Sequence, residues 1–567
     1  MSWFVVLVAP IPLLVAVSLV NWLRSMLQNY AAARTIGVPI RVIPFSPFNP
    51  LWSLVDRKVA FLLRRLPYFR ESSLARYSWR GWDIEDRWQS HYEMGDVYVL
   101  VTPQYNMLQI NDPEATTSLF KRAADFPRPV WVNDVLGVFG SNISCAEGQS
   151  WKTQRRVATR CFNDANNEIV WSETLSLSHD MLRYWSSKPS VKSSADDIRT
   201  LTLNVLSRAG FGKSFKFQGR DEMPTTEIGS LSYRESLGII LENCIVILAL
   251  GPKTLASLSR YWLPSKLRVV NEAVVSFQAH MTAMYEEQKR SFAAGEKNSD
   301  NNLMTLLVRA SQEAASEQSG GLTESEIYGN MFTFNFAGHD TTAHSSTFAL
   351  YYLAANPEVQ DWISEEIQRV LGDRQPHEMD YRADYPRFKR CLSVLYETLR
   401  LYTVVTAIKW TGDRATTLTV GNRTLNLPPK TIILPSYGSM HTDPRYWGDD
   451  SLEWRPSRWI RPGSKVEADN KLEPGDEEID MNRRGVFLGW SEGTRDCPGK
   501  KFSQVEFVAL MVGLFWQWRV DPVKEHPDES MEAARQRVLD LIRGDSGWVL
   551  LLQMLHPERA PLVWRKI

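Results

Sequence analysis

The stretch Trp490-Ser-Glu-Gly493-Thr-Arg495-Asp-Cys497-Pro-Gly499 constrains this chain more than any other. It runs straight into an apolar helical pattern over 498–518 that carries Gln504 and Glu506. Gly493 and Gly499 let the backbone approach a flat ligand closely. The helix presents its N-terminus to Cys497, and a helix N-terminus favours thiolate over thiol. Arg495 adds a fixed positive charge to the same loop. A lone cysteine in this setting is a nucleophile, a redox thiol or an iron ligand, or else an inert buried side chain.

The remaining cysteines, at 145, 161, 244 and 391, form no CxxC and no zinc-type pair. With Cys497 the total is five, and an odd count at wide spacing suits a thiol-reducing compartment better than a disulfide framework. The chain carries 65 Lys+Arg against 65 Asp+Glu. With no basic excess, charge supplies no argument for a nucleic-acid partner.

Helical patterns dominate, and they predict a mostly α (α+β) fold. Helices are expected at 112–123, 150–162, 168–188, 268–293, 324–355, 357–371, 386–402 and 498–518. Asp112-Pro113 reads as an N-cap followed by proline at the first helical position. Thr323 with Glu326 reads as a capping box. Strands are expected at 97–101, 106–110, 417–420 and 431–435, and the apolar runs 548–553 and 561–565 read as a terminal hairpin. Residues 310–321 and the acid-rich 464–482 read as surface insertions. The apolar run 237–250 is either a buried helix or a segment dipping into a membrane.

The Cys497 loop resembles the haem-binding signature F-x-x-G-x-R-x-C-x-G of the cytochrome P-450 superfamily, with Trp490 where Phe is usual. The resemblance implies that Cys497 is the axial thiolate on the iron of haem b. It carries Gly493, Arg495 and Gly499 over as cofactor-binding positions. Further matches follow in the family's order. Glu397-Thr-Leu-Arg400 looks like its ExxR, and at i,i+3 on a helix these side chains share a face. Trp454-Arg-Pro456-Ser457-Arg458-Trp459 is similar to the stretch that lends a second arginine, here Arg458, to that glutamate. The implied Glu397–Arg400–Arg458 network is structural. Trp151-Lys-Thr-Gln-Arg155 matches a WxxxR helix, whose indole and guanidinium are both donors suited to a haem propionate. Lys409 is a further charge for the same carboxylates.

Ala337-Gly338-His339-Asp340-Thr341-Thr342 lies mid-helix, where a glycine costs ~1 kcal/mol against alanine. A local rule broken mid-helix hints at function. The segment resembles the family's [AG]-G-x-[DE]-T. By that likeness Ala337 and Gly338 leave room for dioxygen, and Asp340 and Thr341 are catalytic, relaying protons. His339 and His344, at i,i+5, do not share a face and make no metal site.

The implied activity is insertion of one atom of O2 into a C–H or C=C bond. Thiolate ligation favours O–O cleavage. Electrons are expected from NADPH through a separate membrane-bound reductase, docking near Lys152, Arg156, Lys500 and Lys501. Apolar stretches near 126–143, 228–262, 332–341, 403–408 and 550–560 favour a small lipophilic substrate. The chain looks most like microsomal enzymes of filamentous fungi, many of which tailor terpenoids and polyketides. Rival readings are a haem-thiolate isomerase or dehydratase and a non-catalytic haem-binding protein; the Asp340-Thr341 pair argues against both.

Residues 3–20 carry no charge and meet the lower bound of ~17–25 residues for a spanning helix. The first charges, Arg24, Arg34 and Arg41, follow it and place the remainder in the cytosol. The competing reading is a cleaved signal peptide with Ala31-Ala32-Ala33 near its cleavage site. The expected organisation is a transmembrane anchor over 1–23, a proline-rich connector over 24–50 and a single large helical haem domain with small β-sheets over 51–567. Such a chain sits single-pass in the endoplasmic reticulum membrane.

Overall fold

The computed structural model describes residues 10–129, 131, 137, 139–219, 231–243, 246–247, 250–251, 254–255, 257, 265–294, 302–316, 321–463, 476–483 and 485–567. The backbone divides into two compact units. One comprises Met1–Pro129, Thr406–Glu453 and Asn482–Asp496; the other comprises Val130–Val405, Trp454–Met481 and Cys497–Ile567.

The first unit is built on a five-stranded sheet in the order Ile40–Val42, Val97–Val101, Asn106–Ile110, Thr431–Pro435, Lys409–Trp410. Successive side chains of a strand point to opposite faces. Val97, Val99 and Val101 therefore pack with Met26, Ala33 and Ile36. Tyr98 and Leu100 pack on the other side with Tyr77, Trp79 and Trp82. Burial on both faces explains why the strand is apolar at every position. Pro113–Lys121 starts as its sequence dictates, with the Asp112 carboxylate accepting the Ala115 N–H at 2.7 Å.

Residues 24–50, expected as an extended connector, are folded into this unit. The Pro10–Arg34 helix runs through the expected boundary at residue 23. Asn29 donates to the carbonyls of Thr102 and Pro103, and Ile40–Val42 lies parallel to residues 99–101. The flanking Pro39 and Pro44 stand at the strand's ends, where a missing N–H is tolerated, so their spacing marks a strand and not a free linker. Among the described residues no helix is long and apolar enough to cross a membrane. Residues 1–9 of the expected anchor lie outside the described residues.

The second unit is helical. Its spine is Glu324–Ala355, 32 residues and so about 48 Å long. The capping box forms: Thr323 Oγ1 accepts from the Glu326 N–H at 3.2 Å, and the Glu326 carboxylate accepts from the Thr323 N–H at 2.9 Å. From Thr342 to Ala355 every residue is buried, as expected of a helix enclosed on all sides. Ser194–Phe211, Lys389–Leu401, Lys500–Phe515 and Met531–Gly544 all pack on it. Asp164–Ser186 lies closely along Lys500–Phe515, and the approach depends on Gly513: a Cβ there would run into Ser178, reaching its Cβ at 2.8 Å.

Several expectations change. Through Ser316 the polar 310–321 segment is helix Leu303–Ser316, with Ala310, Ser311 and Ala314 buried; their small side chains suit close packing, not solvent. Residues 464–475 lie outside the described residues, but Glu477–Ile479 pairs with Ile460–Pro462. Glu477 is no solvated acid, because it meets Arg390 at 2.9 Å with both side chains buried. The terminal hairpin is replaced by two pairings. Ser546–Trp548 pairs with Leu552–Met554, and Leu562–Lys566 pairs with Trp518–Pro522. That second partner is distant in sequence, which a local pattern cannot reveal. Within 237–250, Leu237, Ile240 and Ile247 are fully buried, and helix Tyr233–Glu242 holds the first two.

Gly513→Ala should destabilise the fold by ~1–3 kcal/mol through overpacking. Ser178→Gly in the same chain should recover part of the loss despite its own helix cost. Unfolding midpoints of the wild type and both variants check this, and an unchanged midpoint in Gly513→Ala would refute the close approach.

Candidate active site

Helix Lys389–Leu401 begins on a buried carboxylate that local sequence does not flag. Glu366 accepts the N–H groups of Lys389, Arg390 and Cys391 at 2.7, 2.8 and 2.9 Å. Burial pushes its pKa up to about 7 against these bonds. Eight residues into that helix, Glu397 and Arg400 share a face and pair twice, Nε to Oε2 and Nη2 to Oε1, each at 2.8 Å. The short 3-10 turn Pro456–Trp459 supplies the rest. Arg458 Nε donates to Oε1 at 2.8 Å, Trp459 Nε1 to Oε2 at 2.9 Å and the Arg455 N–H to Oε1 at 2.9 Å. Glu397 is fully buried and Arg400 1 % exposed. Burial opposes ionisation, but Arg400 and Arg458 hold the carboxyl below the usual range. Sequence pairing anticipated both arginines; it missed the Trp459 indole and the Arg455 amide, although both lie in the motif that carries Arg458.

Cys497 opens the second unit's last stretch, three residues before helix Lys500–Phe515. Its thiol is exposed, whereas Cys161 and Cys391 are fully buried. Burial pushes Cys161 up to about 12 and Cys391 well above the ordinary thiol range. Those two are the inert cysteines. A Cβ at Gly499 would stand 3.9 Å from Cys497 Sγ and 3.8 Å from the Phe162 ring.

In the first unit, Gly493–Arg495 forms a 3-10 turn. Gly493 has φ 79°, and a Cβ there would come within 2.9 Å of the Phe120 carbonyl oxygen. Conformation and space both demand glycine. Arg495 is half-buried. The preceding strand of chain is pinned by fully buried His441, whose Nε2 accepts the Leu488 N–H at 2.9 Å. Sequence reading overlooked His441. Trp490 meets Phe487 edge-on at 6.2 Å. Lys409 is buried with its ammonium 5.7 Å from the Phe120 ring.

Along Glu324–Ala355, residues 329–335 and 342–355 are buried, while Ala337 is exposed and Gly338, Asp340 and Thr341 are half-buried. The helix is thus enclosed before and after, and its middle turn is open. Thr341 Oγ1 donates to the Ala337 carbonyl at 2.6 Å, leaving its lone pairs free to accept. Asp340 is not simply a neighbour of Thr341. Arg199, from Ser194–Phe211, donates to it at 3.0 Å, and His339 Nδ1 lies 3.4 Å away. Burial would raise the Asp340 pKa, but His339 and Arg199 lower it. Burial depresses His339 and pushes His344 down to about 3. Both rings are thus neutral near pH 7, and Arg199 is the standing charge that keeps Asp340 anionic. The helix pattern gives no hint of this partner.

Trp151 and Arg155 lie one turn apart on Gly148–Cys161. With Lys152, Arg156, Thr159 and Arg160 they line an open depression of about 500 Å³. Gln154 fixes this helix to the spine by accepting from Asn330 Nδ2 at 2.8 Å. Of the expected docking charges, Lys501 sits over the Tyr385 ring at 3.9 Å, and burial lowers its pKa.

These residues fit a haem. An exposed thiol stands before a helix N-terminus with glycine beside it, and the same unit offers an open helix turn of small residues and a tryptophan–arginine pair of donors.

A family model described as Cytochrome P-450 matches residues 83–541. A cytochrome P-450 monooxygenase of Arthrobotrys oligospora is 27% identical over 98% of this chain and 97% of its own. The phomenoic acid biosynthesis cluster cytochrome P-450 monooxygenase of Leptosphaeria maculans is 26% identical over 91% of each chain. The ganoderic acid synthetase of Ganoderma lucidum is 26% identical over 71% of this chain and 77% of its own.

Glu397→Ala should cost ~3–5 kcal/mol, since it leaves buried arginines without their counter-charge. Glu478→Ala, which breaks a half-exposed pair with Arg461 (49% and 41% exposed side chains), should cost no more than ~1 kcal/mol. Because the Glu397 pKa is depressed by folding, its contribution is fully present above the ordinary value of 4.5 and lost as pH falls through the lower folded value. Denaturation curves across acidic pH test both statements; equal losses in the two variants would contradict them.

Proposed function

The chain belongs to the cytochrome P-450 family, and from that membership we propose that it is a monooxygenase acting on a lipophilic substrate in fungal secondary metabolism. The observation that carries the reading is the exposed Cys497 thiol in the same unit as the opening at Ala337–Thr341. The family's enzymes are oxidoreductases of the monooxygenase class. Reductive splitting of O2, with one atom entering substrate and one leaving as water, is the chemistry the haem supplies when bound. Cys497 would hold its iron. Trp151 and Arg155 would offer N–H donors to its carboxylates. Ala337 and Gly338 keep the open turn of the helix free of side-chain bulk. Thr341 accepts a hydrogen bond from water at its Oγ1 while donating to Ala337. Asp340, anchored by Arg199, supplies an acceptor next to it. A relative named for a biosynthesis cluster supports the metabolic setting, and electrons are assigned to NADPH by way of a separate reductase.

For location we propose a single-pass anchor in the endoplasmic reticulum membrane, with the folded body in the cytosol. Support comes from the uncharged residues 3–20. It comes also from the exposure of Val15, Val17, Leu19, Val20, Leu23 and Leu27 on the Pro10–Arg34 helix.

Two outcomes are expected for the chemistry. Cys497→Ser should abolish the red-shifted carbonyl Soret band of the reduced wild type. Thr341→Ala should keep that band and continue to consume NADPH with reductase, but release more hydrogen peroxide per product. Retention of the band by Cys497→Ser, or an unchanged product-to-NADPH ratio in Thr341→Ala, would overturn the respective role.

Deleting residues 1–23 spares Met26 and Ala33 in the core. It should therefore move the protein from the membrane to the soluble fraction with the carbonyl band intact. The sequon at Asn422 is the informative one for topology, since Asn142 is fully buried and inaccessible to glycosylation in the fold. Sugar on Asn422 would contradict a cytosolic body.

A further inference from the structure

The spine helix carries two asparagines in buried turns, Asn330 and Asn335. Asparagine is a poor choice for a helix interior, because its amide competes for backbone hydrogen bonds. Here each amide is satisfied in the same way. Nδ2 donates to the carbonyl one turn back, Asn330 to Glu326 at 2.7 Å and Asn335 to Met331 at 2.8 Å. Oδ1 accepts from another element. Asn330 takes the Ile143 N–H at 3.0 Å, and Asn335 takes the Tyr233 O–H at 3.2 Å. Ile143 and Tyr233 lie in two of the apolar stretches that the sequence assigns to a lipophilic substrate, 126–143 and 228–262. The spine's open turn, Ala337–Thr341, ends the third, 332–341.

Both contacts are close. A Cβ at Gly329 would run into the carbonyl oxygens of Gly140 and Ser141, and one at Gly140 into that of Ser325. The 139–147 loop thus lies directly on the spine backbone. Asn330 Nδ2 also donates to Gln154, which ties the same point to the helix that carries Trp151 and Arg155. Tyr233 opens helix Tyr233–Glu242 behind a capping box of Ser232 and Glu235. His280, on helix Ser265–Ala293, holds the chain just before it, with Nε2 3.1 Å from the Leu231 carbonyl. One ring joins the two segments: Phe277 meets Phe139 edge-on at 6.0 Å and stacks with Tyr233 at 5.8 Å. Phe139 also meets Phe332 at 4.2 Å, and Phe332 stacks at 5.9 Å on Phe336, the neighbour of exposed Ala337.

We propose that Asn330 and Asn335 are specificity-determining positioning residues. Their amide oxygens hold the 139–147 loop and the start of helix Tyr233–Glu242 at a fixed distance from the open turn. Both segments bear on Phe277, so they yield together. A bulky substrate must part both contacts to reach the open turn, whereas a small one need not. Neither amide touches the reacting atoms; each acts through the segment it holds. The inference rests on the monooxygenase reading for the substrate, but the coupling of the two segments does not depend on it.

The test uses the full-length holoprotein and two readouts. Tyr233→Phe removes only the hydroxyl and leaves the ring against Phe277. Hydrogen exchange read by mass spectrometry should then quicken in helix Tyr233–Glu242 and also in the 139–147 loop, which the substitution does not touch. Stopped-flow Soret shifts follow the binding of imidazole and of a triaryl imidazole to the haem. The triaryl probe should bind faster in Tyr233→Phe by roughly 2- to 10-fold, the worth of one hydrogen bond, with the imidazole rate unchanged. Asn335→Ala should match it, and the double variant should add little, as for two ends of one bond. Asn330→Ala should quicken exchange in both segments from the other side. If either asparagine variant fails to fold, Tyr233→Phe alone still decides. No rise of exchange in the loop, equal changes in the two binding rates, or additive effects in the double variant would overturn the proposal. Failure of the monooxygenase reading is separately visible, as a wild type with no red-shifted carbonyl band or no reductase-dependent product.

Discussion

A single ionised carboxylate with no access to water organises the second unit. Glu397 survives as an anion only because Arg400, Arg458, the Trp459 indole and the Arg455 amide surround it. These donors come from one helix and from the 3-10 turn that follows residue 454. The interaction therefore ties two stretches of chain that are far apart in sequence. Its reach extends further through Tyr396, whose ring stacks on Trp459 at 5.2 Å and whose hydroxyl accepts from Gln504 at 3.0 Å. Gln504 lies on the helix that starts beside Cys497. The loss of Glu397 would thus be felt at the thiol through a chain of packed and hydrogen-bonded side chains, without direct contact.

Most helix positions were legible because their signals are local. Caps at Asp112 and Thr323 behave as their side chains dictate, and the 3.6-residue pattern located the spine to the residue. What local reading could not supply was the far partner. Leu562–Lys566 pairs with Trp518–Pro522, a choice that depends on which edge is vacant in three dimensions. The acid-rich insertion looked solvated until its last part formed a strand and Glu477 found Arg390. The same limit applies to the site. Cys497, Glu397, Arg400 and Asp340 stand in motifs and could be named, whereas Arg199, Glu366 and His441 act from elements that carry no motif.

The middle of the spine helix illustrates how environment, not residue type, assigns chemistry. Asp340, midway along Glu324–Ala355, and Glu506, on the helix Lys500–Phe515 packed against it, are both carboxylic acids, the first held below the ordinary range and the second pushed well above it by burial. One is partnered by a guanidinium, which stays charged at any ordinary pH; the other is surrounded by uncharged groups. A substitution that exchanged their surroundings, leaving both side chains in place, would exchange their protonation states as well.

The segment between Ile460–Pro462 and Glu477–Ile479 is closed at its base. The two strands pair, the Gly463 N–H donates to the Asp476 carbonyl at 2.6 Å, and Glu477 is anchored to Arg390. Gly463 and Asp476, the described residues on either side of 464–475, are therefore already brought together. Lengthening a loop whose ends are clamped adds only ~0.6 kcal/mol of closure entropy per doubling. This position offers an insertion point for an affinity tag or a small reporter domain, at which the surrounding scaffold would register little of the added chain.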